Sequence, residues 1–206
     1  MVQGQAMRKV CGLLKDKGID LSRMRALEFF GREGDWQTTA YAGEVMSLEA
    51  WEIDPKFEPA LRRNLPDATI RIGDSYEIAA APENKGRFDF VVLDNPQCLF
   101  GEELEHCEHF DALPLGLGLI EKEGVLIFNI NWMPFDFDEH PHWKKERENY
   151  YGLGDTSMLD VEGHTLPFYR RKVESHGFEV SDCFEMVRNP EYLSYIVVVC
   201  RRNGAV

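Results

Sequence analysis

The sequence predicts an α/β fold: a three-layer αβα sandwich around a mostly parallel seven-stranded sheet that closes with an antiparallel hairpin at the C-terminal end. Short apolar segments alternate with segments of helical periodicity along the 206 residues, and parallel strands require such crossover segments. The last two apolar segments are separated only by residues 188–191, which favours a hairpin. Since no linker or repeat interrupts the pattern, we expect one domain over residues 1–206.

The predicted elements follow one another in chain order. Strands are apolar runs closed by glycine, proline or polar residues, predicted at residues 25–30, 47–53, 69–72, 88–93, 124–131, 178–187 and 192–201. Helices have apolar residues three and four positions apart, and are predicted at residues 5–17, 35–42, 56–65, 113–122 and 159–176. Residues 132–158 are aromatic, acidic and weakly periodic, which predicts a loop or lid.

Charge and composition narrow the class of partner. The formal net charge of −13 disfavours nucleic acid, because proteins usually bind phosphates through Lys and Arg, although residues 170–172 form a local basic group. No segment approaches the roughly 20 apolar residues that cross a bilayer, and five scattered cysteines form no Cys-x-x-Cys pair. We therefore expect a cytoplasmic protein with a small-molecule substrate. The oligomeric state has no signal in the sequence.

Polar residues follow the carboxyl ends of the predicted strands, where ligands of open parallel sheets bind. Gly31 and Gly34 leave room for backbone amides to approach a ligand after the first strand. Glu52 follows that turn by about 20 residues, the position of carboxylates that bind a ribose diol. Asp74 is placed to meet the exocyclic amine of an adenine. Further polar ends are Glu28, Asp94 with Asn95 and Pro96, and Asn129 with Asn131.

Four of these segments resemble motifs of the class I, Rossmann-like methyltransferases that use S-adenosylmethionine. Residues 27–34 resemble the glycine-containing first motif, and residues 51–55 the second, with Glu52 as the ribose acid. Residues 71–74 resemble the third, whose acid contacts adenine, and residues 92–97 the fourth, beside the methyl donor. The terminal strand pair resembles the family's closing hairpin. The resemblance covers most of the chain.

The resemblance implies an S-adenosylmethionine-dependent methyltransferase with a Rossmann-like fold. Its cofactor-binding residues would be Glu28, Phe30, Gly31, Gly34, Glu52, Ile53, Asp74, Ser75 and Asp94. Its catalytic residues would be Asp94, Asn95 and Pro96, with Asp94 and Asn95 positioning the acceptor and Asp94 removing a proton. Aromatic residues of the predicted lid would cover the acceptor: Trp132, Phe135, Phe137, Trp143, Tyr150 and Tyr151.

The sequence departs from the family in ways that keep alternatives open. Phe30 and Arg32 stand where two motif glycines would fall, so a non-catalytic adenosine-binding or scaffold protein is one alternative. Residues 94–97 are similar to the Asp/Asn-Pro-Pro-aromatic signature of enzymes that methylate exocyclic amines but lack its second proline and aromatic residue, so a nucleic-acid base amino-methyltransferase is another. A nicotinamide or nucleotide-sugar oxidoreductase is disfavoured by the missing Gly-x-Gly-x-x-Gly.

Two histidine pairs raise the question of a metal site. They are His106 with His109, which flank Cys107, and His140 with His142. Imidazole and thiolate are natural zinc or iron ligands, but these spacings match no specific metal signature. Both pairs also lie among acidic residues on predicted loops. The sequence therefore predicts no metal ion.

Overall fold

The computed structural model describes residues 4–204 of the chain. Its helices are α1 Gln5–Asp16, α2 Glu58–Asn64, α3 Ser75–Ala80, α4 Ala112–Leu119, α5 Pro141–Tyr151 and α6 Leu166–Ser175. Its strands are β1 Arg25–Glu28, β2 Ser47–Glu52, β3 Thr69–Ile72, β4 Phe88–Leu93, β5 Leu99–Phe100, β6 His106–Cys107, β7 Ile120–Asn131, β8 Phe178–Asn189 and β9 Leu193–Arg202.

Seven of the strands form one sheet in the order β3-β2-β1-β4-β7-β9-β8. The first five of these strands are parallel to one another, and β9 is antiparallel to both β7 and β8. The predicted sheet and its closing hairpin are therefore confirmed. The chain runs outward from β1 to β3 and then returns to β4, so the strand order reverses between β1 and β4, where open α/β sheets bind their ligands.

Both faces of the sheet are covered by helices. Successive side chains of its central strands are therefore buried on opposite sides. On β4, Phe90 and Val92 pack into the layer that contains α1, while Val91 and Leu93 pack into the layer that contains α4, α5 and α6. All four side chains are fully buried. A strand buried on both faces is continuously apolar, which is why the central strands were visible in the sequence.

The predicted helix at residues 35–42 is wrong. A loop follows β1, and its regular part is a single 3-10 turn, Thr38–Ala40. Just before this segment, Arg32 and Gly34 have positive φ angles, 42° and 65°, so the chain enters it from a non-helical turn. The Thr38 hydroxyl also donates a hydrogen bond to Glu28. The backbone conformation and this contact favour the loop over the local helical pattern.

The predicted loop at residues 132–158 is wrong over α5. This helix has Pro141 in its first turn, where a missing N–H has no cost. It buries Trp143, Arg147 and Tyr151, which are spaced by four residues and share one face. Because Arg147 reads as polar in the sequence, the buried face was not recognised. The sequence analysis also missed α3 and the small hairpin of β5 and β6.

The predicted helix at residues 159–176 begins later than expected. Residues 161–165 form a π-helical turn, and the α-helix starts at Leu166. The Asp160 carboxylate accepts a hydrogen bond from the Gly163 backbone amide, 2.8 Å away, and so caps this widened turn.

Within residues 4–204, no helix combines the length and the apolar character needed to cross a bilayer.

Candidate functional site

The carboxyl ends of β1 to β4 open into a cleft of about 1090 Å³ at the point where the strand order reverses. Every residue that the sequence analysis assigned to catalysis or to cofactor binding lines this cleft. They are Glu28, Phe30, Gly31, Gly34, Glu52, Ile53, Asp74, Ser75, Asp94, Asn95 and Pro96. The structure thus brings the whole set together, and the role of each residue stays a prediction.

Glu28, at the end of β1, is a buried carboxyl with an incomplete set of partners. It is 1% exposed, and its Oε2 accepts hydrogen bonds from Thr38 Oγ1 at 2.8 Å and from Tyr41 OH at 2.7 Å. Its Oε1 has no hydrogen-bond partner among residues 4–204. Burial and the negative charge of Asp94 raise the pKa of Glu28 to about 8. A cationic group entering the cleft would favour the ionised carboxylate.

Glu52 joins two of the loops that form the cleft. Its Oε2 accepts a hydrogen bond from the Arg32 backbone amide at 2.7 Å, and its Oε1 accepts one from the Asp54 amide at 2.8 Å. The carboxylate therefore holds the loop after β1 against the end of β2. Each carboxylate oxygen accepts two hydrogen bonds, so both keep capacity for a ligand hydroxyl.

Asp74 is the N-cap of α3, which begins at Ser75 after β3, the strand next to β2. Asp74 Oδ1 accepts a hydrogen bond from the Tyr76 backbone amide at 2.8 Å and so caps the helix. The Ser75 hydroxyl donates to the Phe29 carbonyl oxygen at 2.7 Å. This bond fixes the start of α3 against the residue that follows β1. Asp74 Oδ2 takes no part in this cap.

The glycines after β1 are required by packing. The Gly31 amide donates to the Trp51 carbonyl oxygen at 2.7 Å, and an added Cβ at Gly31 would lie 2.9 Å from the same oxygen. An added Cβ at Gly34 would lie 2.7 Å from the Leu61 side chain. The Gly31 amide is thus bonded to β2. Both glycines let the loop pack closely against β2 and α2.

Asp94 lies after β4 in a charged cluster that sequence reasoning did not identify. Its Oδ1 accepts hydrogen bonds from Asn129 Nδ2 at 2.5 Å and from Arg188 Nη1, which also donates to Asn129 Oδ1 at 3.0 Å. Asn129 had been singled out as a polar strand end, but Arg188 had no signal because its partner is 94 positions away in sequence. Asp94 therefore has a cation beside it, whereas Glu28 has hydroxyl donors.

Asn95 and Pro96 complete the turn after β4. The Asn95 side chain accepts a hydrogen bond from the Asn129 backbone amide at 3.1 Å and donates one to the Pro96 carbonyl oxygen at 2.9 Å. Asn95 is 3% exposed. Both ends of its amide thus have partners within the protein, and its observed contacts fix the turn beside β7.

The cover of the cleft differs from the predicted one. The segment that contains β5 and β6 lines the cleft with Phe100, Glu102, Glu103, Glu105 and His106, and the sequence analysis missed this. None of the residues 132–158 lines the cleft. Of the predicted lid aromatics, Phe137, Trp143 and Tyr151 are instead buried in the core.

Aromatic rings connect the covering segment to the rest of the cleft. The ring of His106 stacks on that of Tyr76 with centroids 4.0 Å apart and planes 5° from parallel. The rings of Phe30 and Phe100 meet edge to face at 6.0 Å. The four side chains are half-buried and all line the cleft. They form an aromatic wall that the isolated motifs did not reveal.

The histidine pairs do not converge. His106 belongs to the aromatic wall, and His109 is buried with its Nε2 2.5 Å from the Tyr169 hydroxyl. His140 and His142 are exposed at the start of α5. In the part of the chain that the structure describes, no three His, Cys, Asp or Glu side chains are grouped to hold a metal ion.

Carboxylates dominate the charged residues of the cleft. The guanidinium groups in its lining are those of Arg32 and Arg188. The acids in its lining are Glu28, Glu33, Asp35, Glu52, Asp74, Asp94, Glu102, Glu103 and Glu105. A cleft lined by one sign of charge concentrates ligands of the opposite sign.

Solved structures identify the fold. The chain matches Trm1 from Pyrococcus horikoshii, solved with S-adenosyl-L-methionine, at a TM-score of 0.69 and 14% identity, over 96% of this chain and 54% of Trm1. It matches PH1948 from the same organism, a candidate RNA methyltransferase, at a TM-score of 0.55 and 16% identity, over 96% and 84% of the two chains. It matches a candidate sarcosine dimethylglycine methyltransferase from Galdieria sulphuraria at 0.59 and 13%, over 98% and 87%.

The sequence itself matches no family model and no curated protein. The chain spans about half the length of Trm1. At these identities the likeness concerns the fold, and it agrees with the strand order, the terminal hairpin and the position of the cleft. The chain has the Rossmann-like fold of the class I S-adenosylmethionine-dependent methyltransferases.

Proposed function

We propose that this chain is an S-adenosylmethionine-dependent methyltransferase that acts on a small molecule. One observation carries the proposal: Glu28, at the carboxyl end of β1, is among the residues that line the cleft, and its buried Oε1 has no hydrogen-bond partner within residues 4–204. A buried acceptor without a donor is destabilising by about 1–3 kcal/mol. An ammonium group of a ligand would remove that penalty and satisfy the charge of the carboxylate.

The lining of the cleft suits each part of the cofactor. Glu28 would accept from the α-ammonium of its methionine end, Glu52 from its ribose hydroxyls, and Asp74 from its adenine amine. Ile53 lines the cleft and is 64% exposed, so it offers an apolar surface for one face of the adenine. The three acids end neighbouring strands of the sheet and so face one rim.

The protein's share of the chemistry is alignment and exclusion of water. When bound, the cofactor supplies a methyl group on a positively charged sulfur, which is already electrophilic. Arg188 and Asn129 fix the Asp94 carboxylate, so we assign Asp94 to positioning. The aromatic wall formed by Phe30, Tyr76, Phe100 and His106 would keep water from the reacting atoms.

The acceptor is proposed to be a small molecule because the cleft is acidic. PH1948 is described as a candidate RNA methyltransferase and the Galdieria protein as a candidate sarcosine dimethylglycine methyltransferase. The fold alone therefore does not distinguish an RNA acceptor from a small-molecule acceptor. The phosphates of a nucleic acid would approach nine acidic side chains, of which Glu28 is largely protonated at neutral pH, and two guanidinium groups in this lining. That repulsion favours the small-molecule class.

Calorimetry with S-adenosylmethionine, S-adenosylhomocysteine and NAD⁺ tests the proposal. We expect both adenosyl ligands to bind and Glu52→Gln to weaken them at least about tenfold, because hydrogen bonds to charged groups contribute about 1.5–3 kcal/mol. The matched control is Glu58→Gln, outside the cleft on α2. Thermal unfolding of each variant reports whether the fold is kept. If neither S-adenosylmethionine nor S-adenosylhomocysteine binds, the proposal is contradicted. If only NAD⁺ binds, the result supports an oxidoreductase.

A further inference from the structure

We infer that the methyl acceptor is a small cationic amine, bound in the cleft against the β5–β6 segment and the aromatic wall to which that segment contributes. The inference rests on the proposed function and names the substrate class for the same site. Three observations carry it: carboxylates without an ion-pair partner on the β5–β6 segment, a buried acceptor atom without a donor elsewhere in the lining of the cleft, and aromatic rings in that lining. Each observation concerns different atoms.

Two acids on the turn between β5 and β6, Glu102 and Glu103, form no ion pair with a described residue, whereas Glu105 lies 3.9 Å from His106. Glu102 and Glu103 are exposed, line the cleft and form no ion pair with any Lys or Arg of residues 4–204. Glu105 lines the cleft as well, and one of its oxygens accepts from the Glu103 amide at 3.0 Å. The two guanidinium groups of the cleft are both beside other acids, Arg32 with Glu33 and Arg188 with Asp94. The charge of this turn is therefore left for a ligand.

Gln37 supplies an independent sign of a donor-bearing ligand. This residue is 6% exposed and lines the cleft, and its Oε1 has no hydrogen-bond partner among the described residues. A carbonyl oxygen only accepts hydrogen bonds, so its missing partner is an N–H or an O–H. The cofactor contacts proposed for Glu28, Glu52 and Asp74 leave Gln37 unused. An amine acceptor provides the donor.

The aromatic wall adds a surface that attracts cations. Phe30, Tyr76, Phe100 and His106 are half-buried, so part of each ring remains open in the cleft. The faces of aromatic rings are electron-rich and bind ammonium groups within about 6 Å. Tyr76 and His106 are held parallel at 4.0 Å, so each ring covers one face of the other. Rings and carboxylates together select an organic cation over a phosphate.

The chemistry of amine methylation also suits an acidic cleft. The amine loses a proton to water, and its free electron pair then attacks the methyl carbon. The nitrogen–carbon bond forms as the carbon–sulfur bond breaks, and the electron pair of the broken bond stays on sulfur. The positive charge thus moves from sulfur to the methylated nitrogen. Carboxylates around the cleft stabilise that charge throughout the transfer.

The test is calorimetry of the protein saturated with S-adenosylhomocysteine. The probes are 1,4-diaminobutane and spermidine, with 1,4-butanediol as the uncharged control of equal length and a 12-nucleotide single-stranded RNA as the polyanion. We expect an amine to bind, and the diol and RNA not to bind. In the double variant Glu102→Gln/Glu103→Gln, amine affinity should fall at least about fivefold, and it should be unchanged in Glu179→Gln, an exposed acid on β8 outside the cleft.

The other outcomes of these titrations contradict either the amine inference or the proposed function. Failure of both amines to bind, equal losses in the double variant and in Glu179→Gln, or binding of the RNA overturns the amine inference while leaving cofactor binding intact. Failure of S-adenosylhomocysteine to bind in the first titration overturns the proposed function, and with it the assignment of the amine as a methyl acceptor.

Discussion

Two buried glutamates differ in what surrounds them. Glu28 and Glu108 are each 1% exposed, and each has one oxygen without a hydrogen-bond partner within residues 4–204. Glu108 forms an ion pair with Arg147, whose side chain is also fully buried, and accepts from Trp143 Nε1 at 3.0 Å. Glu28 accepts from two hydroxyl groups and forms no ion pair with a described residue.

The difference distinguishes a charge that is paired within the protein from one that we propose binds a ligand. Arg147 also donates to the Asn131 carbonyl oxygen at 2.7 Å, so the Glu108 pair joins α5 to the end of β7. Around Glu108 the protein supplies the cation itself. Glu28 has no cation within ion-pair distance among the described residues, although Arg188 lowers its pKa from farther away, and it is part of the cleft lining. We expect changes near Glu108 to affect mainly stability and changes at Glu28 to affect mainly binding.

The largest expected effect is the loss of Arg147. Arg147→Met leaves Glu108 buried without its cation, which typically lowers the free energy of unfolding by about 3–5 kcal/mol. Urea denaturation measures the change. The double variant Arg147→Met/Glu108→Gln removes both charges and should recover much of the loss. A loss below about 1 kcal/mol in the single variant would contradict the structural role of this pair.

Glu28→Gln should affect binding instead. Its affinity for S-adenosylmethionine should fall about 10- to 100-fold, which corresponds to about 1.4–2.7 kcal/mol, because the carboxylate would no longer meet a cationic ligand. Its free energy of unfolding at pH 8 should be equal to or above that of the parent protein, since a buried charge has been removed. Calorimetry and urea denaturation separate the two effects, with Glu179→Gln as the control. An unchanged affinity refutes the ligand role of Glu28.

The same comparison explains which features were predictable from sequence. The strands and the carboxylates at their ends were predictable because buried parallel strands are continuously apolar and the ligand site lies at their carboxyl ends. The burial of Arg147 was not predictable, because an arginine on the buried face of α5 interrupts the apolar spacing that identifies an amphipathic helix. Arg188 and the cover by the β5–β6 segment depend on contacts between distant parts of the chain. Local periodicity carries no information about such contacts.

Substitutions at Asp94 test whether a carboxylate in the cleft that has an arginine partner affects stability as Glu108 does. The Asp94 carboxylate has Arg188 as a partner, so it should behave like Glu108 in stability measurements. Asp94→Asn should lower the free energy of unfolding by about 1.5–3 kcal/mol, as expected for a hydrogen bond to a charged group. Arg188→Gln and the double variant complete a double-mutant cycle. Additive losses in that cycle would show that the two side chains act independently.

The smallest expected effect is the change in the free energy of unfolding per pH unit that the titration of Glu28 causes. Its pKa is raised by burial from 4.5 to about 8 in the folded protein, so the folded state binds more protons than the unfolded state between these values. The stability contributed by the protonated carboxyl is fully present below pH 4.5 and is lost as the pH rises towards 8. The slope is at most about 1.4 kcal/mol per pH unit.

Urea denaturation of the parent protein and of Glu28→Gln from pH 5 to 8 measures this slope as a widening gap in favour of the variant. Saturating S-adenosylmethionine should narrow the gap, because the cation favours the ionised carboxylate and lowers its pKa. A gap that is independent of pH would mean that Glu28 is already ionised in the folded protein. The missing cation would then have to be supplied by the protein itself, and the contrast between Glu28 and Glu108 would no longer hold.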